Sequence, residues 1–244
     1  MPNTTRYLVG TAGWSLPKEE QPHFPPPEAG THLTRYAAVL PAVEINSSFY
    51  RPHRPSSYAR WAASVPASFR FAVKIPRTIT HERKLADAAD LLDAFLPGPA
   101  ALGETLGCLL VQLPPSLALD PRVATRFLAD LRARHDGPVA IEPRHATWFT
   151  PAAESMLRDA RIARVAADPP RAAGDGEPGG FDGFAYYRLH GAPRIYYSNY
   201  DDAYLDALAA RLRAHAGDAW CIFDNTALGA AWTNARTLLH RLRT

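Results

Sequence analysis

Eight polar residues each stand at or near the end of a short apolar run: Glu44, Asn46, Lys74, Gln112, Glu142, Arg188, His190 and Asp224. Three carboxylates, two cations and a histidine at corresponding points of different runs could move protons and hold a developing negative charge. Any one of them has a plain structural explanation, a buried acid beside a buried base. The set as a whole is costly to bury for stability alone and points to a site. Glu44, Lys74, Glu142, His190 and Asp224 are the candidate catalytic groups. Just beyond the runs lie Arg77, His81, Arg83, Arg144, His145 and Arg194, a second tier suited to phosphate or carboxylate. The aromatics Trp14, Phe49, Tyr50, Trp148, Tyr196 and Tyr197 occupy the same segments and could stack on a base or sugar. Substrate binding is expected from Trp14, Asn46, Tyr50, Arg77, His81, Gln112, Arg144, Trp148, Arg188 and Asn225.

The elements that must position these groups follow from periodicity. Runs rich in β-branched and aromatic residues fall at 7–10, 42–45, 69–75, 108–112, 139–142, 162–166, 185–190 and 220–223, which makes eight predicted strands. Helix-period stripes separate most of them. The clearest starts at Asp120-Pro121 and carries Val123, Phe127, Leu128 and Leu131. Others are Leu85, Leu92 and Phe95; Tyr204, Leu205, Leu208 and Leu212; and Trp232, Ala235, Leu238, Leu239 and Leu242. Strands alternating with helices predict an α/β fold, a closed parallel (β/α)8 TIM-type barrel in one domain spanning 1–244. The Gly- and Pro-rich stretch 168–183 leaves no room for a sixth helix, so a loop replaces or shortens it. Because side chains alternate along a strand, Glu44 shares a face with Asn46, and Arg188 with His190. That face is assigned to the barrel mouth.

The chain has 244 residues, 47% of them hydrophobic and 21% charged, with a net charge of +3, which fits a globular protein and not a disordered one. Its modest positive charge falls short of a dedicated DNA-coating protein. Cys108 and Cys221, the only cysteines, sit in apolar runs and supply neither a disulfide framework nor a cysteine-rich zinc site. Met1-Pro2-Asn3-Thr4 opens the chain without a basic stretch, and no run of about 18 apolar residues follows. A cytoplasmic protein with no membrane partner is expected. The sequence also lacks a Walker loop, an H-E-x-x-H motif, a G-x-S-x-G elbow and a G-x-G-x-x-G after the first strand.

Several ordered segments resemble the YecE-like family, the domain of unknown function numbered seventy-two. They are Gly10-Thr11-Ala12-Gly13-Trp14-Ser15, Val43-Glu44-Ile45-Asn46-Ser47-Ser48-Phe49-Tyr50, and Phe71-Ala72-Val73-Lys74 with Pro76-Arg77 and Thr80-His81. The series continues with Gln112-Leu113-Pro114-Pro115-Ser116, Glu142 with Arg144, His145 and Trp148, Tyr187-Arg188-Leu189-His190-Gly191, and Phe223-Asp224-Asn225. The resemblance spans nearly the whole chain and implies a TIM-like barrel, with no assigned reaction. It departs after Trp14, where the family has a second tryptophan, and at Asp224, where the family has asparagine.

Three functions follow as expectations. The first is an enzyme acting on a small anionic, phosphorylated substrate, a hydrolase of a phosphate ester or phosphodiester. Lys74, Arg77, Arg144 and Arg188 would hold the anion, and Glu142 and His190 would be the acid/base pair. The second is a phosphosugar isomerase or aldolase using Lys74 as amine. The third is a non-catalytic binder of nucleotides or nucleic acid. No cofactor is fixed by a motif. Glu44, Glu142, Asp224 and His190 form a hard or mixed donor set for a divalent metal that no spacing enforces. Nothing in the composition sets an oligomeric state.

Overall fold

The structure is a computed structural model that describes residues 5–244. The reading of Met1-Pro2-Asn3-Thr4 therefore lies outside the described residues. The strands are β1 Tyr7–Ala12, β2 Ala42–Ile45, β3 Arg70–Lys74, β4 Leu106–Gln112, β5 Val139–Glu142, β6 Ala163–Arg164, β7 Ala166–Asp168, β8 Gly179–Gly180, β9 Phe184–Leu189 and β10 Asp218–Phe223. They form one sheet in the order β7-β9-β10-β1-β2-β3-β4-β5-β6-β8. Every neighbouring pair is parallel except β6 and β8, which are antiparallel.

This corrects the expectation of a closed, all-parallel (β/α)8 barrel. The sheet has ten strands, is mixed, and curls into a nearly closed barrel. The reason lies in the sixth apolar run, which breaks at Val165 into two short strands with different partners. Ala163 and Arg164 pair with β5, whereas 166–168 pair with β9. The free edge of β6 is taken by Gly179–Gly180, delivered by the Gly- and Pro-rich segment. Glycine is required there: Gly180 has φ +66°, and a Cβ would stand 2.5 Å from the Ile162 carbonyl oxygen. Arg164 holds the segment in place, donating to the Gly174 carbonyl at 3.0 Å and to Glu154 at 2.5 Å.

The helices are α1 His32–Ala37, α2 Pro55–Ala63, α3 Ala89–Phe95, α4 Pro97–Ala100, α5 Pro121–Arg132, α6 Pro151–Asp159, α7 Asp202–Ala214 and α8 Ala230–Arg243. Two of them, α3 and α4, separate β3 from β4, which departs from the expected alternation, whereas none stands between β7 and β9, across the Gly- and Pro-rich stretch where no helix was expected. Local chemistry explains where the long ones begin. Asp120 accepts from the Arg122 and Val123 amides at 2.9 and 3.2 Å, with Pro121 at the first helical position of α5. Asp201 caps α7 through the Tyr204 amide at 2.8 Å. Among the described residues, no helix is long and apolar enough to cross a membrane.

The strand pleat divides the core into two layers. Val43, Val73, Val111, Ile141, Leu189 and Phe223 face the helices. Leu8, Ala42, Ala72, Cys108, Leu110, Ala140, Tyr186, Trp220 and Ile222 fill the barrel interior. Tyr186 stacks on Trp220 with ring centroids 5.6 Å apart. One pleat further along each inward face, the residues become polar.

Candidate active site

The alternation that puts Ala42, Ala72, Leu110, Ala140, Tyr186 and Ile222 inside carries Glu44, Lys74, Gln112, Glu142, Arg188 and Asp224 to the C-terminal end of the same interior. At its centre is Arg188, fully buried. Its guanidinium grips Glu44 with two prongs, Nε to Oε2 at 2.9 Å and Nη2 to Oε1 at 2.7 Å. It also donates to Glu142 Oε2 at 2.8 Å and Asp224 Oδ2 at 3.2 Å. His190 bridges the other two acids, with Nε2 3.0 Å from Glu142 Oε1 and Nδ1 3.0 Å from Asp224 Oδ2. Gln112 donates to Glu142 Oε2 at 2.9 Å, and the Tyr186 hydroxyl donates to Glu44 Oε2 at 3.0 Å.

These contacts set the charges. Burial works against an ionised Glu142, but Arg188 and His190 outweigh it and hold the carboxyl well below its usual range. Asp224 is lowered for the same reasons, with burial opposed by Arg188 and a hydrogen bond from His190. Burial also disfavours a charged His190, yet Glu142 and the bond to Asp224 raise its pKa, and both ring nitrogens face carboxylate oxygens. Arg188 lies well above its ordinary value, because the three carboxylates overcome its burial. The floor of the mouth is thus a densely paired network.

Above the floor opens a cavity of about 500 Å3 lined by Asn46, Phe49, Tyr50, Lys74, Arg77, His81, Gln112, Arg144, Tyr196, Asp224 and Thr226. Lys74 is 6% exposed and its Nζ lies 4.2 Å above the Phe49 ring. It has no hydrogen-bond acceptor or ion-pair partner among the described residues. Burial, followed by the charge of Arg188, lowers its pKa to about 8 against the pull of Glu44, Glu142 and Asp224. The Ser48 hydroxyl fixes the strand end beneath it by donating to the Lys74 carbonyl at 2.6 Å. His81 is also lowered, by burial and then by Lys74, Arg77 and Arg144, so it stands neutral among cations. Arg144 Nε is buried without a partner, as is Asn46 Oδ1.

The remaining expected site residues fall elsewhere. Trp14 packs edge-on against Trp61 at 5.1 Å and Phe71 at 6.4 Å. Trp148 is buried and donates to the Leu117 carbonyl at 3.0 Å. Asn225 ties the end of β10 to its surroundings, donating to the Ser198 carbonyl at 2.8 Å and Asn234 Oδ1 at 3.0 Å. None of the three lines the cavity, and neither do Arg83, His145 and Arg194. Conversely, the Tyr186 hydroxyl and Thr226 belong to the mouth and were not read from the sequence. The signal existed for Tyr186, which shares the inward phase of Arg188 and His190, whereas Thr226 lies beyond the end of β10, where strand alternation assigns no direction. Among the described residues, no group of three or more His, Cys, Asp or Glu is arranged to hold a metal ion. Glu44, Glu142, Asp224 and His190 do converge, but on Arg188, whose guanidinium already supplies the positive charge that a divalent ion would bring. That donor set does not fit a resident metal.

Comparison with known proteins places the chain in a wider group. A family model described as a protein of unknown function, DUF72, matches residues 8–244. The UPF0759 protein YecE of Escherichia coli K12 is 30% identical over 151 residues, 61% of this chain and 52% of that protein. The UPF0759 protein YunF of Bacillus subtilis 168 is 27% identical over 150 residues, 59% of this chain and 52% of that protein. The matched stretch spans about half the length of these curated relatives. Among solved structures, a DUF72 family protein from Enterococcus faecalis V583 superposes with a TM-score of 0.81 at 22% identity, covering 98% of this chain and 96% of that one. Another, from Thermotoga maritima MSB8, gives 0.78 at 25% identity, covering 98% and 100%.

Proposed function

The chain belongs to the DUF72 family of proteins of unknown function, and from its own site we propose that it is an enzyme of carbonyl chemistry acting on a small phosphorylated substrate. Lys74 supplies the amine, and Arg77 and Arg144 hold the anion. The observation that carries this reading is the state of Lys74: buried, unpaired, facing a cavity, with a pKa near 8. An ammonium held for structure would be paired, whereas an amine meant to react must shed its proton near neutral pH. Composition sharpens the point. Only three of the 27 Lys plus Arg residues are lysines, at 18, 74 and 84, and this is the one at the barrel mouth. An arginine there could not deprotonate.

In the proposed step the neutral Nζ attacks the carbonyl carbon. A C–N bond forms, and the carbonyl oxygen leaves as water carrying both amine hydrogens, giving an imine. The imine activates the adjacent carbon for proton removal or carbon–carbon cleavage, and hydrolysis returns the amine. Asp224, at the cavity wall with Oδ2 already bonded, accepts hydrogen bonds from substrate through its other oxygen. The orphaned Arg144 Nε is a donor awaiting an anion.

The geometry favours this over phosphate-ester hydrolysis. Glu142 has both oxygens engaged and a depressed pKa, and His190 has both nitrogens engaged, so neither is free to activate water. A cavity of this volume suits a small molecule better than a polymer. The test is borohydride trapping with glyceraldehyde 3-phosphate and dihydroxyacetone phosphate, followed by peptide mass spectrometry. A reduced adduct at Lys74, competed by inorganic phosphate and lost in Lys74→Arg, is expected. No adduct, or equal labelling of the exposed Lys18 and Lys84, overturns the proposal.

A further inference from the structure

Tyr196 has a φ of +71°, in the left-handed region that disfavours residues with a bulky side chain. Two backbone bonds keep it there. Its amide donates to the His190 carbonyl at 2.6 Å, and its carbonyl accepts from the Ala227 amide at 3.0 Å. Glycine would occupy this position without strain, so the tyrosine ring must serve a purpose that the backbone does not. That ring is 43% exposed, lines the cavity, and stands edge-on to His190 at 6.2 Å. Tyr50, 73% exposed, lines the same cavity and is set edge-on against Phe49 at 5.0 Å. The neighbouring Tyr197 is exposed to a similar degree, 38%, but it does not line the cavity, and the Arg194 guanidinium lies over its ring at 3.8 Å. Two large aromatic side chains are therefore left exposed at the border of an anion-seeking cavity, one of them on a strained backbone.

We propose that Tyr196 and Tyr50 form a ring-binding subsite beside the cationic wall, so that the preferred ligand is a phosphomonoester that also carries a flat ring, bound more tightly than a short acyclic phosphate. Stacking supplies the affinity that the phosphate alone does not, and a phenol ring does this with little loss of side-chain freedom. The inference rests on the anion-binding cavity proposed above and is independent of the chemistry at Lys74.

Calorimetry with uridine monophosphate, glycerol 3-phosphate and inorganic phosphate, none of which carries a reactive aldehyde or ketone, tests it. The nucleotide is expected to bind about tenfold or more tighter than glycerol 3-phosphate. Tyr196→Gly should lose most of that advantage, leave glycerol 3-phosphate affinity unchanged, and hold or raise the melting temperature, while Tyr196→Phe keeps the advantage. Equal affinity for the two esters overturns the inference, and so does an advantage that survives Tyr196→Gly. A Tyr196→Gly protein that melts early and weakens both ligands alike marks a structural tyrosine and overturns it too. Failure of all three phosphates to bind removes the anion-binding wall together with this subsite. A ring preference without a Lys74 adduct upholds the subsite and removes only the carbonyl chemistry.

Discussion

The floor of the barrel mouth and the cavity above it are built from the ends of the same strands, yet they treat charge in opposite ways. On the floor, Arg188 and His190 meet Glu44, Glu142 and Asp224 with hydrogen bonds in nearly every direction that their geometry allows. One pleat away, Lys74 has an aromatic face and no acceptor among the described residues, and Arg144 Nε has no partner. Both regions are costly to bury. The floor recovers that cost through pairing, and the cavity does not, which is the distinction between a polar network that holds a shape and a site that waits for a ligand. Partnered charge reads as architecture, and unpartnered charge as chemistry. Variants that remove one charge from each region should therefore move stability in opposite directions.

The largest effect is expected from Arg188→Met. It leaves Glu44, Glu142 and Asp224 buried without the guanidinium, and loss of one partner from a buried charge network costs about 3–5 kcal/mol. Chemical denaturation at pH 7 should show it as a lower midpoint at unchanged slope. A melt within 1 kcal/mol of the parent would mean that the floor carries little stability, and the contrast with the cavity would collapse.

Lys74→Met should act the other way. A folded-state pKa near 8 against 10.5 in the unfolded chain means that the unfolded state binds the proton more tightly, a cost of about 3 kcal/mol at pH 7. The sign follows directly: the cost is complete below pH 8 and is relieved as pH rises from 8 to 10.5, where only the unfolded chain stays protonated. The methionine protein is expected to be the more stable one at pH 7 by up to about 3 kcal/mol. That gap should shrink towards pH 10.5, and adduct formation should vanish. Denaturation curves across this pH range measure both. A destabilised Lys74→Met protein would move Lys74 into the partnered region.

The two regions were legible in the sequence to different degrees. Strand alternation put Glu44 with Asn46 and Arg188 with His190 on one face, because a period of two is a local property of the chain. It could not say that Arg188 would take up all three acids, since that depends on which strand ends meet across the barrel. Tyr186 obeyed the same alternation and was overlooked because it sits inside an apolar run and does not close one. Trp14 and Asn225 lie in loops and Trp148 in a single 3-10 turn, where no long periodicity assigns a direction, and their side chains turn to packing or backbone bonds. The split of the sixth run at Val165 was likewise hidden. It depends on Gly179–Gly180 claiming the edge of β6 from 15 residues away, a tertiary pairing with no local mark beyond two adjacent glycines.

The smallest stability effect should come from Arg77→Ala, and it separates the two regions most finely. Arg77 lines the cavity but also pairs with Glu82 at 3.1 Å, both side chains about half exposed, with relative exposures of 51% and 54%. A solvent-exposed pair of this kind is worth about 0–1 kcal/mol. If Arg77 belongs with the unpartnered cations, its loss leaves the melt within about 0.5 kcal/mol of the parent. Phosphate binding should then weaken on the order of tenfold at low salt. The deficit should narrow as salt rises, because ions screen an exposed charge over a Debye length of about 8–10 Å. Arg144→Ala should cost more binding, since its orphaned Nε sits deeper and is less screened. An Arg77→Ala protein with parental phosphate affinity and a clearly lower melt would place Arg77 with Glu82 as surface structure, leaving Lys74 and Arg144 alone on the ligand side of the boundary.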